Sequence, residues 1–249
     1  MSRHHPYLLG EASDSPFPPA ELALREPDGL LAVGGDLSPV RLLNAYAGGI
    51  FPWFSHGQPL LWWSPAPRMV FHTKQLHLSS RFRRSLRASP WQIRADTAFP
   101  EVMLACAQAP RPGQDGTWIT PDMHHAYVAL HHLGHAHSVE VYEAEKLVGG
   151  IYGVAIGRMF FGESMFSARS GGSKVALAAL AATLARWGWP LIDAQVENPH
   201  LVRMGATHLG RAEFLQHVRR LAHEPGKIGS WAPYFGDIPA STLARPAAP

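Results

Sequence analysis

The most restrictive part of the sequence is a run of strand-like stretches that surrounds one Ala-rich helix. Residues 147–155 and 158–166 are predicted to be strands, residues 173–187 a helix that Gly188 ends, and residues 191–196 the next strand. Residues 138–142 alternate as a further strand before them, which makes a meander. The chain is therefore predicted to be an α+β protein with a mixed sheet and flanking helices.

Three of the polar residues within these strands stand out. Successive strand side chains point to opposite faces, so Asp193 and Gln195 are predicted to share one face of the sheet. By the same alternation, Glu163 is predicted to share a face with Phe161 and Met165, which places a carboxylate among apolar groups. This mixture favours a pocket that takes an apolar acyl group next to an amine.

Composition sets broad limits on size and partners. With 249 residues, of which 46% are hydrophobic, the chain fits one large domain or a main domain with a smaller partner. The 22 Lys and Arg residues exceed the 19 Asp and Glu residues by only 3, although the isoelectric point is near 9.2. A nucleic-acid partner is permitted by these numbers but not required.

The expected location is the cytoplasm, without membrane insertion. A single cysteine, Cys106, excludes an internal disulfide and fits a reducing compartment, and its expected place is the core. The first ten residues lack the apolar stretch of a signal peptide. The longest aliphatic run, residues 175–185, is shorter than the roughly 20 residues that span a bilayer.

Pro, Gly and aromatic residues are dense from residue 15 to residue 63, which predicts a small N-terminal lobe over residues 1–68 and a main domain over residues 69–249. Within the lobe, Ser38 and Pro39 are predicted to begin a helix that Gly48 ends. Thr120 is predicted to begin another helix in the main domain. The tail beyond Pro225 is expected to lie over the surface.

A basic helix is predicted after Ser79 or Ser80. Leu78, Phe82 and Leu86 recur every four residues and share one face. Arginines flank that stripe at four positions: Arg81, Arg83, Arg84 and Arg87. The resulting positive patch is either a nucleic-acid contact or a solvated helix face.

Several familiar sites are not supported by the sequence. The histidine pairs at positions 124–125 and 131–132 have neither a cysteine nor a His-Glu-x-x-His pattern beside them, so no metal is expected. Residues 162–166 do not form the Gly-x-Ser-x-Gly elbow of a hydrolase. The Gly-rich start of the 173–187 helix is either a phosphate site or an ordinary turn with Ser173 as the N-cap.

Blocks of sequence in a fixed order resemble the leucyl/phenylalanyl-tRNA–protein transferase family. They occupy residues 17–18, 25–37, 49–54, 61–65, 116–119, 134–138, 147–150, 162–166 and 192–195, and the match extends from about residue 17 to about residue 214. Departures from the family pattern are Gly171 and Gly172 in place of Asn-Ala, Ala194 in place of Cys, and Arg203 with Met204 in place of Ser-Leu.

The resemblance implies an activity and a fold. Members transfer Leu or Phe from Leu-tRNA or Phe-tRNA to the N-terminal Arg or Lys of an acceptor protein, which marks that protein for degradation. It also implies a GNAT-like acyltransferase core that uses neither coenzyme A nor another cofactor.

The chemistry of that transfer, taken with the resemblance, suggests roles for individual residues. Gln195 would orient the attacking amine, Asp193 would fix the Gln195 amide or balance the ammonium, and Glu163 would bind the cationic end of the acceptor. The apolar pocket corresponds to Ile151, Phe160, Met165, Leu177, Leu180 and Ile192. Trp53 and Trp118 are candidates to stack on the terminal adenine, with core packing as the alternative. The residues that would contact tRNA phosphates are Arg81, Arg83, Arg84 and Arg87.

Strand alternation adds one condition. Phe160 and Met165 share a pocket only if a bulge lies between them, and Gly162 is a position where a bulge fits.

Two other functions remain open from the residues alone. A coenzyme-A-dependent N-acetyltransferase would share the fold, but its Arg/Gln-x-x-Gly-x-Gly/Ala loop, counted from Arg169, ends at Lys174 instead of Gly or Ala. A non-catalytic RNA-binding module would use the basic helix without transferring anything.

Overall fold

The computed structural model describes residues 5–110 and 117–245. Gly116 of the block 116–119, and the ends of the two predicted domains at residues 1–4 and 246–249, lie outside the described residues. The helices are α1 (Pro39–Ala47), α2 (Ser80–Leu86), α3 (Phe99–Gln108), α4 (Pro121–His132), α5 (Gly172–Arg186), α6 (Pro199–Val202), α7 (Arg211–Leu221) and α8 (Ala232–Phe235). The strands are β1 (Tyr7–Leu9), β2 (Leu30–Gly34), β3 (Phe51–Pro52), β4 (Leu61–Trp63), β5 (Arg68–His72), β6 (Gln92–Ala95), β7 (Ala136–Glu143), β8 (Lys146–Ile156), β9 (Met159–Ser167), β10 (Leu191–Gln195), β11 (Thr207–Leu209) and β12 (Ile238–Pro239).

The described strands form two sheets. The smaller sheet has the order β1-β2-β4-β3, and the larger, eight-stranded sheet has the order β11-β5-β10-β9-β8-β7-β6-β12. In the larger sheet β9 and β10 run parallel while the other neighbours are antiparallel. The predicted α+β class with a mixed sheet is confirmed.

Three predicted helix starts are confirmed by their caps. The side-chain oxygens of Ser38, Ser79 and Thr120 accept hydrogen bonds from backbone N–H groups three residues on, at 3.4, 3.3 and 3.3 Å. Each bond satisfies a donor that has no partner within the first turn of the helix.

The predicted N-cap of α5 is wrong. Gly171, at φ +92°, is the N-cap, and the Oγ of Ser167 accepts the N–H of Ser173 at 2.9 Å. A Cβ at position 171 would lie 2.7 Å from the Phe82 ring, so glycine satisfies both the backbone angle and the space there. Ser167 on β9 therefore does the capping that Ser173 was expected to do.

Buried side chains form two cores, one on each face of the larger sheet. The first core joins Trp62 of the smaller sheet to Tyr46, Tyr127 and Phe161 of the helices and larger sheet. The second core lies under α5 and contains its apolar residues, such as Leu180. The first core thus contains residues from before and after the predicted domain boundary at residue 68. The boundary itself stays a prediction. Cys106 is buried in the first core, as expected.

The expectation that the tail beyond Pro225 lies over the surface is wrong. Trp231 is fully buried, its ring stacks on His137 at 3.8 Å, and its backbone N–H donates to the Asp96 carboxylate at 2.7 Å. Further along, β12 pairs with β6 at the edge of the larger sheet. The prediction failed because it was based on the Gly- and Pro-rich composition of the tail and did not consider Trp231. This single aromatic side chain packs the tail against the second core.

The connection from β9 through α5 to β10 creates an opening in the sheet. The two parallel strands pair only between Met159–Phe161 and Leu191–Asp193, and beyond these residues they separate. Parallel strands need such a helical crossover, and ligands often bind where the carboxyl ends of strands diverge. No described helix is long and apolar enough to cross a bilayer.

Candidate active site

A cavity of about 470 Å³ lies where β9 and β10 separate. Its described lining comes from strands β3, β5, β8, β9 and β10, from α5 and α6, and from the loops that carry Trp53 and Trp118. One wall is apolar and the other carries Glu163, Asp193 and Gln195. The three polar residues singled out from the sequence are therefore together at one cavity.

Four of the six residues expected in the apolar pocket line the cavity: Ile151, Met165, Leu177 and Ile192. The other two do not. Phe160 and Leu180 are fully buried in the second core, where the Phe160 ring lies 5.8 Å from the Trp231 ring. Both belong to the same core as Leu177 and Ile192 but not to the cavity lining.

A bulge in β9 explains how Glu163 reaches the cavity. The register between β8 and β9 shifts so that Tyr152 faces Ser164 while the next residue of β8 faces Gly162, which leaves Glu163 as the extra residue. Met165 packs against the second core, whereas Glu163 contacts side chains of the first core. The expectation that Glu163 and Met165 share a face is therefore wrong, and the bulge lies beside Gly162, where one was required.

β10 keeps the predicted alternation and then bends. Ile192 and Ala194 pack against the second core, while Asp193 and Gln195 contact groups on the other face. A bulge between Asp193 and Gln195 places Gln195 at φ +62°, a strained angle for a non-glycine residue. The Oδ1 of Asp193 accepts the N–H of Gln195 at 2.9 Å and holds it in this conformation.

Asp193 is neutralised by Arg68, which the sequence reading missed. The Arg68 guanidinium donates to both carboxylate oxygens of Asp193 at 2.8 and 2.6 Å, and both side chains are fully buried. Arg68 also lies over the rings of Phe51 and Phe214, at 4.7 and 4.5 Å from their centres. An acid on an otherwise apolar strand needs a buried cation, and that requirement was the signal that could have found Arg68.

Glu163 has a different environment, in which neutral donors surround it. The Tyr46 hydroxyl donates to Oε1 at 2.7 Å, the Gln195 amide donates to the same oxygen at 2.8 Å, and the Tyr127 hydroxyl lies 3.3 Å from Oε2. Burial, helped by the charge of Asp193, raises the pKa of Glu163 to about 7, although the three hydrogen bonds act against the rise.

Tyr46 and Tyr127 are also residues that sequence reading missed. Their hydroxyls contact each other, and both side chains are fully buried. Burial and the charge of Glu163 raise the pKa of each phenol well above its usual value, so both remain hydrogen-bond donors. In the sequence they have the helical spacing of ordinary core residues, and nothing there distinguishes them.

Trp53 and Trp118 lie at the mouth of the cavity. Both also line a second cavity of about 750 Å³, together with Trp63. The rings of Trp53 and Trp63 are 5.9 Å apart, and Trp53 is 38% exposed. The two tryptophans expected to stack on a base therefore stand between the two cavities.

The four arginines of the basic helix divide into two groups. Arg81, Arg84 and Arg87 are exposed. Arg83 donates to the backbone oxygens of Leu78 at 3.1 Å and Arg245 at 2.8 Å, which ties α2 to the C-terminal segment, residues 225–245. Three of the four are thus available to a polyanion.

The histidine pairs of α4 lie apart from this cavity. His124 contacts the carbonyl of Pro100 and His131 that of Ala136. Within the described ranges, no group of three or more His, Cys, Asp or Glu side chains is arranged to hold a metal ion.

Comparison with known proteins identifies the family. Residues 70–219 match the profile described as leucyl/phenylalanyl-tRNA protein transferase, and residues 35–66 match the profile of its N-terminal domain. A leucyl/phenylalanyl-tRNA–protein transferase of Xanthomonas axonopodis pv. citri (strain 306) is 67% identical over 245 residues, which is 98% of each chain. The protein of the same name from Xanthomonas campestris pv. campestris (strain 8004) is 68% identical over 244 residues, again 98% of each chain.

A more distant relative agrees. The leucyl/phenylalanyl-tRNA–protein transferase of Xylella fastidiosa (strain M12) is 62% identical over 233 residues, 93% of this chain and 96% of the relative. The two profiles and the three relatives together define the class of protein as a transferase. The chain belongs to the leucyl/phenylalanyl-tRNA–protein transferase family, a family of aminoacyltransferases.

Proposed function

We propose that this protein transfers Leu or Phe from aminoacyl-tRNA to the N-terminal Arg or Lys of a protein, forms a peptide bond and so marks the acceptor for degradation. The observation that carries the proposal is the cavity between β9 and β10, whose lining combines apolar side chains with Glu163, Asp193 and Gln195. The names of the relatives supply the tRNA and the two amino acids.

The core of this enzyme is proposed to be GNAT-like. Support comes from the antiparallel run β7-β8-β9, the crossover through α5 to the parallel strand β10, and the separation of β9 from β10. In such a core the acyl donor and the amine meet in the gap between the two parallel strands. The domain boundary near residue 68 belongs to the same proposal.

The apolar wall fits the side chain of the donor. Ile151, Leu177, Ile192 and Met165 offer aliphatic surface, and burying a Leu or Phe side chain contributes about 1.5–3 kcal/mol. Met165 is unbranched and flexible, which suits a site that takes both a branched and an aromatic group.

Trp53 and Trp118 are proposed to hold the terminal adenosine of the tRNA. Their position between the two cavities lets an aminoacyl group enter the first cavity while the base stays against an indole ring. Such stacking contributes about 1–3 kcal/mol per base and accepts any base. Arg81, Arg84 and Arg87 would contact phosphates further along the tRNA.

The polar wall fits the reaction. An ester is attacked by an α-amine whose ordinary pKa is about 8, so a useful fraction of the amine is neutral near pH 7. Orientation then supplies much of the rate, because holding the two reactants together removes a large entropic barrier. Gln195 donates to Glu163 through its Nε2, which leaves its amide oxygen to accept a hydrogen bond from the amine.

Aminoacyl-tRNA is a cytoplasmic molecule, and we infer that the protein acts in the cytoplasm. Neither the proposed reaction nor the residues of the cavity call for a cofactor.

The direct test is to incubate the purified protein with radiolabelled Phe-tRNA and peptides that begin with Arg, Lys or Ala. Transfer to the Arg and Lys peptides, and not to the Ala peptide, is expected. Gln195→Ala should bind tRNA normally and lose most of the transfer rate, whereas Gln216→Ala, a change at an exposed position of α7, should match the unaltered protein.

Two outcomes would contradict the proposal. Acetyl transfer from labelled acetyl-CoA to the Arg peptide, without transfer from Phe-tRNA, would indicate a coenzyme-A-dependent acetyltransferase. Tight tRNA binding with no transfer to any peptide would indicate a non-catalytic RNA-binding module.

A further inference from the structure

Glu163 is the cavity residue whose chemistry the reaction has not yet used. Among the described residues that line the cavity, the titratable ones are Glu163 and Asp193. Asp193 is bound on both oxygens by Arg68, fully buried, and has its Oδ1 shared with the N–H of Gln195. Glu163 is the remaining acid of the described lining, and two tyrosine hydroxyls and an amide, all neutral, hydrogen-bond to it.

The reaction needs a group that accepts and returns a proton. When an amine becomes an amide its nitrogen loses a proton, and when the ester breaks the ribose oxygen gains one. Gln195 cannot carry that proton, because an amide has almost no basicity. Arg68 cannot accept one either, because a guanidinium stays protonated in proteins.

We propose that Glu163 carries the proton from the attacking α-amine to the ribose oxygen that leaves, and that Tyr46 and Tyr127 are positioning residues that fix its carboxylate. This inference rests on the proposed transfer function and differs from the role in which Glu163 binds the cationic end of the acceptor.

The proton is returned within one transfer cycle. The neutral amine attacks the ester carbonyl carbon, a C–N bond forms, and a proton on the nitrogen moves to the Glu163 carboxylate. The bond from the carbonyl carbon to the ribose oxygen then breaks, and the Glu163 carboxyl returns the proton to that oxygen. The products are a peptide bond and a free ribose hydroxyl, and Glu163 is again ionised.

The geometry around Gln195 brings the amine to Glu163. The Nε2 of Gln195 lies 2.8 Å from Oε1 of Glu163, so the two side chains are neighbours at the same wall. An amine that donates one N–H to the amide oxygen of Gln195 has its other hydrogens next to the carboxylate. The left-handed backbone of Gln195, held by Asp193, fixes this arrangement.

The tyrosines fix the other side of the carboxylate. Tyr46 on α1 donates to Oε1 and Tyr127 on α4 lies 3.3 Å from Oε2, and each is fully buried. In the part of the chain that the structure describes, the charged groups that face Glu163 are Asp193 and, bound to it, Arg68. Burial raises the pKa of Glu163 to about 7, which suits a group that must both accept and release a proton near neutral pH.

The first test is the pH dependence of kcat/KM for an Arg peptide with saturating Phe-tRNA. In the unaltered protein both the amine and Glu163 must be deprotonated, so below pH 7 the logarithm of kcat/KM should fall with a slope approaching about 2 per pH unit. Glu163→Gln should lower kcat by about 10²- to 10⁴-fold and reduce that slope to about 1, because the amine alone then titrates. Glu145→Gln, at an exposed turn, is the matched control and should keep both values.

If the Glu163→Gln variant does not fold, Glu163→Asp is the second variant to test, because it keeps an acid at this position. It should be slower than the unaltered protein and still show the steep acid limb. Tyr46→Phe removes a hydrogen bond that lowers the pKa of Glu163, so the Glu163 limb of the profile should move to higher pH. A purely structural role of Tyr46 would lower the rate equally at every pH.

Each contrary result is distinct. If Glu163→Gln raises KM for the Arg peptide, leaves kcat unchanged and keeps the steep limb, Glu163 binds the acceptor side chain and the proton role is wrong. If Tyr46→Phe does not move the limb, its positioning role is wrong. If the unaltered protein transfers nothing from Phe-tRNA, the proposed function itself fails, and that control is measured first.

Discussion

Two acids 30 positions apart in the chain, Glu163 and Asp193, have opposite environments in the same cavity. Asp193 is fully buried against the Arg68 guanidinium, and its charge is balanced. Glu163 meets hydroxyls and an amide, and its pKa rises to about 7. Environment therefore separates the two carboxylates into one that holds structure and one that is able to exchange a proton near neutral pH.

Removing Arg68 tests the structural member of this pair. Arg68→Met leaves the Asp193 charge buried without a partner, which should lower the free energy of unfolding by about 3–5 kcal/mol. Urea denaturation measures the change. Arg94→Met, which breaks the more exposed pair with Asp237, is the control and should cost at most about 1 kcal/mol. Equal losses of unfolding free energy in the two variants would contradict the stabilising role of the Arg68–Asp193 pair.

Two leucines on α5 are expected to have different roles, one in donor specificity and the other in stability. Leu177 lines the cavity, whereas Leu180 lies in the second core away from it. Leu177→Ala should weaken the use of Leu-tRNA and shift the preference towards the larger Phe. Leu180→Ala should lower the free energy of unfolding by about 2–5 kcal/mol and leave the ratio of kcat/KM for the two donors unchanged. A changed ratio in the Leu180 variant would contradict the division.

The sequence identified the polar residues of the site that lie on strands, but not the residues that bind them through hydrogen bonds or ion pairs. Glu163, Asp193 and Gln195 stand out because they interrupt apolar strands. Arg68 is 125 positions from Asp193, and Tyr46 is 117 positions from Glu163, so nothing local links them. Their pairing depends on how the helices and strands pack, which strand alternation does not encode.

Among the elements, α2 combines a binding face with an anchor. Arg81, Arg84 and Arg87 are exposed, while Arg83 bonds to the carbonyl of Arg245 in the C-terminal segment. The positive patch predicted from four arginines is therefore a patch of three with its helix held by the fourth.

This division predicts different effects for neighbouring arginines. Arg84→Ala should weaken tRNA binding and reduce the slope of log K against log salt by about 0.7–0.9, the value expected for one lost phosphate contact. Arg83→Ala should leave that slope unchanged and lower the thermal stability instead. Binding measured by filter retention at several salt concentrations, with calorimetry beside it, tests both. A loss of slope in the Arg83 variant would contradict the assignment.

The elements themselves were largely predictable. Ser38, Ser79 and Thr120 mark helix starts because each side chain caps its own helix, a local effect. The start of α5 was misplaced at Ser173 because its cap comes from Ser167 on the preceding strand. Local patterns therefore succeeded where the capping group lies in the same helix and failed where another element supplies it.

In the molecule as a whole, the cavity lies between the two cores, and both must be complete to shape it. The first core supplies Tyr46 and Tyr127 behind Glu163, and the second supports the apolar wall through Phe160 and Trp231. The C-terminal segment is thus part of the support of the site, although it lines none of its described surface.

Trp231→Ala tests this support. Trp231 is fully buried between His137 and the second core, so its truncation should lower the free energy of unfolding by about 3–5 kcal/mol. Tyr234→Ala, at a side chain that is 62% exposed, is the matched control and should have little effect. Calorimetry on the two variants checks the difference, and a Trp231 variant as stable as the Tyr234 variant would contradict the account.

The sequence indicated the order strand, helix, strand and hence where the sheet opens. It did not indicate the register of the bulges at Glu163 and Gln195, because one extra residue in a strand leaves little trace in its apolar pattern. Those bulges aim the two polar side chains at each other, so the arrangement of the site depends on the part of the fold that is hardest to read from sequence.

The most direct test of the proposed site is a crystal structure of the protein with a phenylalanyl adenosine in which an amide replaces the ester. We expect the phenyl ring to lie against Ile151, Leu177 and Ile192, with the carbonyl carbon beside Gln195 and the adenine against Trp53 or Trp118. A phenyl ring found outside this cavity, with Glu163 and Gln195 remote from the carbonyl carbon, would contradict it.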